Sequence, residues 1–138
     1  MSSPFDPCWN ALPYSLHRWY VDSFLASATQ QLAPGTRVLD VGGHRRATRG
    51  QFRLEERGLS GVYVNLQLEQ EPEVIGDAHQ LPFRDGAFPA TLCSDVLEHL
   101  ARPEVALSEL ARVTAPGGLV FIAVPYLVAV HGHPDAYG

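Results

Sequence analysis

The stretch Arg37-Val38-Leu39-Asp40-Val41-Gly42-Gly43-His44 constrains the fold more than any other part of the chain. An apolar run of β type breaks at paired glycines, with an acidic residue just before the break. A strand buried on both faces is written as a near-continuous apolar run. Glycine permits the turn after it, because it reaches φ > 0 without a Cβ clash and lets a ligand approach the backbone. The loop departs from the Gly-x-Gly-x-x-Gly pattern of nucleotide sites, since His44 and Arg46 stand where further glycines would fall. Taken alone, the loop fits a plain strand-to-loop turn as well as it fits a ligand cradle.

The rest of the chain alternates in period. Residues 1–13 hold three prolines with Phe5 and Trp9, and read as an irregular arm. A helical period over 14–32 puts Leu16, Tyr20, Val21, Phe24, Leu25, Ala28 and Leu32 on one side and Arg18, Asp22 and Thr29 opposite. Trp19 falls off that stripe and either packs on the arm or lines a substrate mouth. Pro34-Gly35 ends the helix. A short helix is expected over 48–57, closed by Gly58, then strands over 61–66 and 73–76. The link between those two strands has about half the dozen residues of a parallel crossover, so a bare loop is expected there. A fourth strand reads over 88–94 and a helical turn or two over 95–100. Pro103 suits a helix start, and Ala106, Leu107, Leu110 and Val113 give that helix its buried stripe. Pro116-Gly117-Gly118 is expected to stop it before a fifth strand over 119–124, and 126–138 form a tail.

Strands alternating with helices argue for one α/β domain with a mostly parallel sheet flanked by helices, and 138 residues suffice for its core. In such sheets ligands sit beyond the carboxyl ends of the strands. The candidate positions are therefore Gly42 to His44, Asn65 and Leu66, Asp77 and Ala78, and Ser94 and Asp95. A net charge of −5 without a basic patch argues against nucleic acid. The longest apolar run, 119–130, is broken by Pro125 and is shorter than the roughly 20 residues a bilayer span needs. No basic n-region precedes an apolar core, so no signal peptide is read, and a cytoplasmic protein is expected. Cys8 and Cys93 lie far apart and form no CxxC pair, so free thiols are expected rather than a disulfide. His131, His133 and Asp135, with His99, have metal-like spacing but no supporting Cys or His pattern, so a surface loop is expected and no metal.

The post-strand residues also carry a likeness. Gly76-Asp77-Ala78-His79-Gln80-Leu81-Pro82-Phe83, Asp85-Gly86-Ala87-Phe88, Val96-Leu97-Glu98-His99, Glu109-Leu110-Ala111-Arg112-Val113 and Pro116-Gly117-Gly118 succeed one another at spacings that resemble class I S-adenosylmethionine-dependent methyltransferases of the type 11 kind. The resemblance implies a Rossmann-like sheet of about five strands in the order 3-2-1-4-5, lacking the last two strands usual in that family. It implies S-adenosyl-L-methionine as cofactor and a small molecule as acceptor. Gly42 and Gly43 would face the methionine part, and Asp40 would shape the loop or meet the cofactor through water. Asn65 and Leu66 would lie at the ribose end, Asp77 and Ala78 at the adenine, and Ser94 at the amino-acid end. No catalytic residue is implied. Glu98 would be structural or orient the site, and His99 would cap or pack beside its helix.

The chain departs from the family pattern in places. Asn65 stands where the family has an acid that binds both ribose hydroxyls, and a neutral amide lacks charge-assisted strength there. Pro89 replaces an Asp, and His44 and Arg46 replace glycines. An uncovered fifth strand would be a pairing hazard, so the tail, a second copy or another chain is expected to cover it. Two functions are implied: a small-molecule methyltransferase, completed by a partner or second copy, or a non-catalytic methyltransferase-like scaffold subunit. A third, cofactor binding without methyl transfer, stands behind them.

Overall fold

The computed structural model describes residues 15–45 and 50–125. Expectations for the arm, for Arg46 and for the tail with its histidines fall outside these. Helix α1 (Leu16–Ala28) opens on Ser15, whose Oγ accepts from the Arg18 N–H and satisfies one of the orphan donors of the first turn. Strands β1 (Arg37–Val41), β2 (Ser60–Asn65), β3 (Val74–Ile75), β4 (Phe88–Ser94) and β5 (Thr114–Ala123) form one sheet in the order β3-β2-β1-β4-β5. Every pairing is parallel. Helix α2 (Pro103–Val113) begins on the proline whose missing N–H costs nothing there.

The central strand is apolar on both faces because both are covered. Leu39 and Val41 pack with Val64, Phe88 and the α2 residues Ala106, Leu110 and Val113. Val38 packs on the other face with Leu92, Phe121 and the α1 residues Val21 and Leu25. The connection from β2 to β3 is a single 3₁₀ turn, Leu68–Gln70, as its length required. The helix expected over 48–57 reduces, among the described residues 50–57, to the 3₁₀ turn Glu55–Arg57, closed by Gly58 at φ 70°.

Three expectations need correction. The fifth strand starts at Thr114, not at Leu119. Pro116-Gly117-Gly118 does not end the pairing; it bulges out between Phe88↔Thr114 and Ala90↔Leu119. Pro89, lacking an N–H, sits on the facing strand within that irregular step. Thr29 is buried, not solvated, and its hydroxyl donates to the Leu25 carbonyl at 2.7 Å. The apolar stripe of α1 is only half used: Val21 and Leu25 are buried, while Leu16, Tyr20 and Phe24 are exposed. Among the described residues β5 is the sheet's edge; its Val120 and Ile122, and Val124 just after it, are exposed.

The ordered motifs of the second half meet in one knot. Arg112 donates to both Glu109 oxygens, to Asp85 Oδ1 at 2.8 Å, and to the Phe83 and Leu81 carbonyls. Glu109 in turn accepts from the Leu81 N–H at 2.7 Å. The Arg112 guanidinium holds the Glu109 carboxyl below the usual carboxylate range. This fastens the loop before β4 onto α2 and fixes where the β3 end and its following turn lie.

Candidate functional site

The sheet delivers its strand ends to one rim. Gly42 continues the β1 ladder by donating to the Val64 carbonyl at 2.8 Å, then turns at φ 79°. A Cβ here would lie 2.3 Å from Val96 Cγ2, so both the backbone angle and the packing demand glycine. At Gly43 a Cβ would fall 2.2 Å from the Asp40 carboxyl carbon. The paired glycines therefore let the loop close over Asp40 on one side and Val96 on the other.

Asn65 explains why this chain carries an amide at the end of β2. Its Nδ2 donates to the Gly42 carbonyl at 3.0 Å and to the Gly43 carbonyl at 3.4 Å, while its Oδ1 accepts from the Gln67 N–H at 3.0 Å. A carboxylate could accept from Gln67 but could not donate to two carbonyls. The side chain expected at a ribose thus staples the glycine loop.

Two hollows flank this loop and share Gly42, His44 and Asp95 in their walls. The first, about 90 Å³, is walled by Asp40, Gly43 and Ser94 among the expected residues, together with Arg18. The second, about 230 Å³, is walled by Asn65, Leu66, Gly76 and Ala78, with Val96 and Leu100. The expected residues thus divide into two adjoining groups. Asp77 borders neither hollow; its Oδ1 accepts from the His79 N–H at 2.8 Å and lies 2.7 Å from His79 Nδ1. These bonds from His79 hold the Asp77 carboxyl below its ordinary range.

The electrostatics of the smaller hollow are uneven. Burial, with Glu55 nearby, pushes the Asp40 carboxyl up to about 7. The Ser94 hydroxyl is buried without a hydrogen-bond partner among the described residues. Such a group costs free energy unless something else completes it. Burial also pushes the Cys93 thiol up to about 12, which makes it a packing residue. Glu98 Oε2 is likewise buried without a partner, and His99 borders the larger hollow. No group of three metal-ligating side chains occurs among the described residues, and none of their helices is long and apolar enough to cross a membrane.

Sequence reasoning missed the contribution of α1. Arg18 NH2 stands 2.6 Å from Asp95 Oδ2, and His17 Nε2 stands 3.0 Å from Asp95 Oδ1. Asp95 is buried at φ 53°, a conformation a non-glycine residue rarely holds without compensation. Its post-strand place marked it as a candidate; the clamp from a helix some eighty positions earlier left no local trace. Trp19, exposed on α1, meets Tyr20 edge-on at 5.0 Å.

The chain is similar to proteins of known kind. Residues 58–122 match a family model described as a methyltransferase domain. A demethylmenaquinone methyltransferase of Renibacterium salmoninarum is 34% identical over 100 residues, covering 65% of this chain and 41% of that protein. One from Mycolicibacterium vanbaalenii is 33% identical, covering 84% of this chain and 64% of that protein. The chain therefore spans less than two thirds of either relative. Among solved structures, a protein of Bacillus halodurans described as a candidate methyltransferase is 31% identical at TM-score 0.54, over 71% of this chain and 45% of that one. The [4+2]-cyclase SpnF shares the fold at 21% identity and TM-score 0.59, over 80% and 52%.

Proposed function

The chain belongs to the class I, type 11-like methyltransferase family, and from that premise we propose that it binds S-adenosylmethionine across the two hollows and transfers its methyl group to a small molecule. The observation that carries the reading is the division at Gly42. One side is small and charged, the other larger and half apolar, which is how a zwitterionic amino-acid end and a nucleoside end differ. The Arg18–Asp95 pair offers one charge of each sign to an ammonium and a carboxylate. The unpartnered Ser94 hydroxyl supplies a further hydrogen bond on the same wall. Ala78, Leu66 and Val96 suit the face and edge of a base. Gly42 and Gly43 leave the space a Cβ would fill, and Asp40 beneath Gly43 supports the loop. When bound, the cofactor supplies a methyl group made electrophilic by its sulfonium. What remains for the chain is to hold that carbon and the acceptor in line and to keep water away, the larger part of catalysis in such a displacement. The demethylmenaquinone named for the relatives is a ring-bearing, apolar acceptor, and it supports the same class here.

A second reading has its own observation. The two polar side chains expected to meet ribose and adenine are already engaged, Asn65 with the glycine loop and Asp77 with His79. A methyltransferase-like scaffold subunit would carry them in that state. Calorimetric titration with S-adenosylhomocysteine and with methylthioadenosine, which lacks the amino-acid end, separates the readings. The first ligand binds the wild type, and Arg18→Gln weakens it about tenfold while leaving the second within about twofold, the loss of one charge-assisted hydrogen bond being worth about 1.5 kcal/mol. Failure of both ligands to bind the folded chain refutes the methyltransferase reading and leaves the scaffold.

A further inference from the structure

The half of the α1 stripe that the core leaves bare is not featureless surface. Leu16, Tyr20 and Phe24, with Ile122 near the end of β5 and Val124 just beyond it, line a groove of about 590 Å³. That volume falls within the roughly 300–1,000 Å³ of small-molecule sites. Its walls carry no charged side chain, and their one polar side chain besides the Tyr20 hydroxyl is the His17 imidazole.

The groove adjoins the site wall through that histidine. His17 Nε2 meets Asp95 Oδ1 at 3.0 Å, and Asp95 borders both strand-end hollows. The Asp95 N–H also donates to the carbonyl of Ala123 at 2.9 Å, and Ala123 lies in the groove wall. One buried residue thus lines both hollows and bonds to two residues of the groove wall. The carboxylate on Nε2 favours the tautomer that carries its proton there, which makes Nδ1 the accepting nitrogen.

We propose that the groove holds the apolar body of the methyl acceptor, a ring-bearing molecule with one hydroxyl, and that its polar end meets His17. This rests on the methyl-transfer reading above. A charged or zwitterionic acceptor is disfavoured, because its head group would lose water against walls that cannot replace it. In the reaction a bond forms between the acceptor's nucleophilic atom and the methyl carbon. The carbon–sulfur bond breaks with its electron pair left on sulfur, and the acceptor's proton leaves by way of His17 to water.

The test uses 1-naphthol, a redox-inert hydroxylated bicycle, titrated calorimetrically against the whole chain, with S-adenosylhomocysteine titrated in parallel. Naphthol binds the wild type. Ile122→Asp and Phe24→Ser each weaken it at least tenfold and leave S-adenosylhomocysteine within twofold. His17→Phe weakens it several-fold. Ile75→Asp, at an exposed apolar position on the opposite edge of the sheet, changes nothing. Two groove variants guard against one failing to fold. The proposal is overturned if naphthol does not bind, if the Ile75 variant weakens it as much as the groove variants do, or if sedimentation shows a dimer that Ile122→Asp dissolves. Naphthol bound without S-adenosylhomocysteine would instead strike the cofactor reading and leave the groove standing.

Discussion

Replacing Asn65 by Asp installs the residue type that the family resemblance expects at the ribose, yet the bonds of the amide require that change to harm this chain. The amide donates to the Gly42 and Gly43 carbonyls at 3.0 and 3.4 Å. Each such bond contributes about 0.5–1.5 kcal/mol net, and an acceptor pointed at two carbonyls adds a desolvation cost of similar size. The sum is a loss of about 2–3 kcal/mol. A domain of this length loses roughly 3–5 °C in Tm per kcal/mol, so the midpoint at pH 7.5 falls by on the order of 10 °C. The carbonyls favour the protonated form of the introduced carboxyl, which can donate again, so its folded-state pKa lies above its unfolded value. Stability from that group is then fully present below about pH 4 and lost as pH rises through the folded pKa. Thermal melts of Asn65→Asp and wild type at pH 7.5, 5.5 and 3.5, read as a difference, should show the deficit shrinking toward acid. Asn65→Ala should lose less and show no such trend. A variant as stable as the wild type at pH 7.5, or a deficit indifferent to pH, refutes the stapling role.

Two further outcomes are expected of the same loop. Gly42→Ala places a methyl group 2.3 Å from Val96 Cγ2 at a backbone angle of 79°, and should cost about 2–4 kcal/mol by denaturant unfolding; Val96→Ala in the same chain should recover the steric part and leave about 1–2 kcal/mol of backbone strain. Asp40, raised from 3.8 to about 7, contributes stability that is complete below its unfolded pKa and disappears as pH rises through 7; the wild-type midpoint should therefore fall between pH 5 and pH 8 more than that of Asp40→Asn, and parallel curves would exclude the shift.

The sheet was legible because its strands announce themselves twice, by apolar runs and by the glycine or polar residues that end them. Val38, Leu39 and Val41 need partners on both faces, and only helices on both sides provide them. The β2–β3 link was too short for a helix, and it holds none. Misreadings arose where long-range packing overrode a local signal. Pro116-Gly117-Gly118 looks like a terminator, yet it is absorbed as a bulge because Thr114 already pairs with Phe88. Thr29 looks solvated, but its hydroxyl folds back onto the Leu25 carbonyl and lets the residue be buried. The site was legible as a set of strand ends and not as a set of bonds. Nothing local tells whether Asn65 faces outward to a sugar or inward to Gly42, and nothing near Asp95 in sequence reveals Arg18.

Those inward bonds decide what can govern recognition here. A ribose approaching Asn65 must compete with two loop carbonyls, and a base approaching Asp77 must compete with the His79 N–H and ring. Each gain there is offset by a bond given up, so on the proposed reading the nucleoside end would contribute chiefly through apolar contact with Ala78, Leu66 and Val96. At the other end one group, the Ser94 hydroxyl, is unspent, and the charged groups are already paired with each other. The Ser94 hydroxyl gives up no bond in meeting a ligand, and the Arg18–Asp95 pair is held in place by His17 and by the Asp95 backbone bond before anything binds. Preorganised charge in a small hollow discriminates more sharply than an amide already spoken for. On the proposed reading selectivity would therefore reside at the amino-acid end, where α1 meets β4, with the altered β2 terminus as the stiffener that keeps the glycine loop shaped for it.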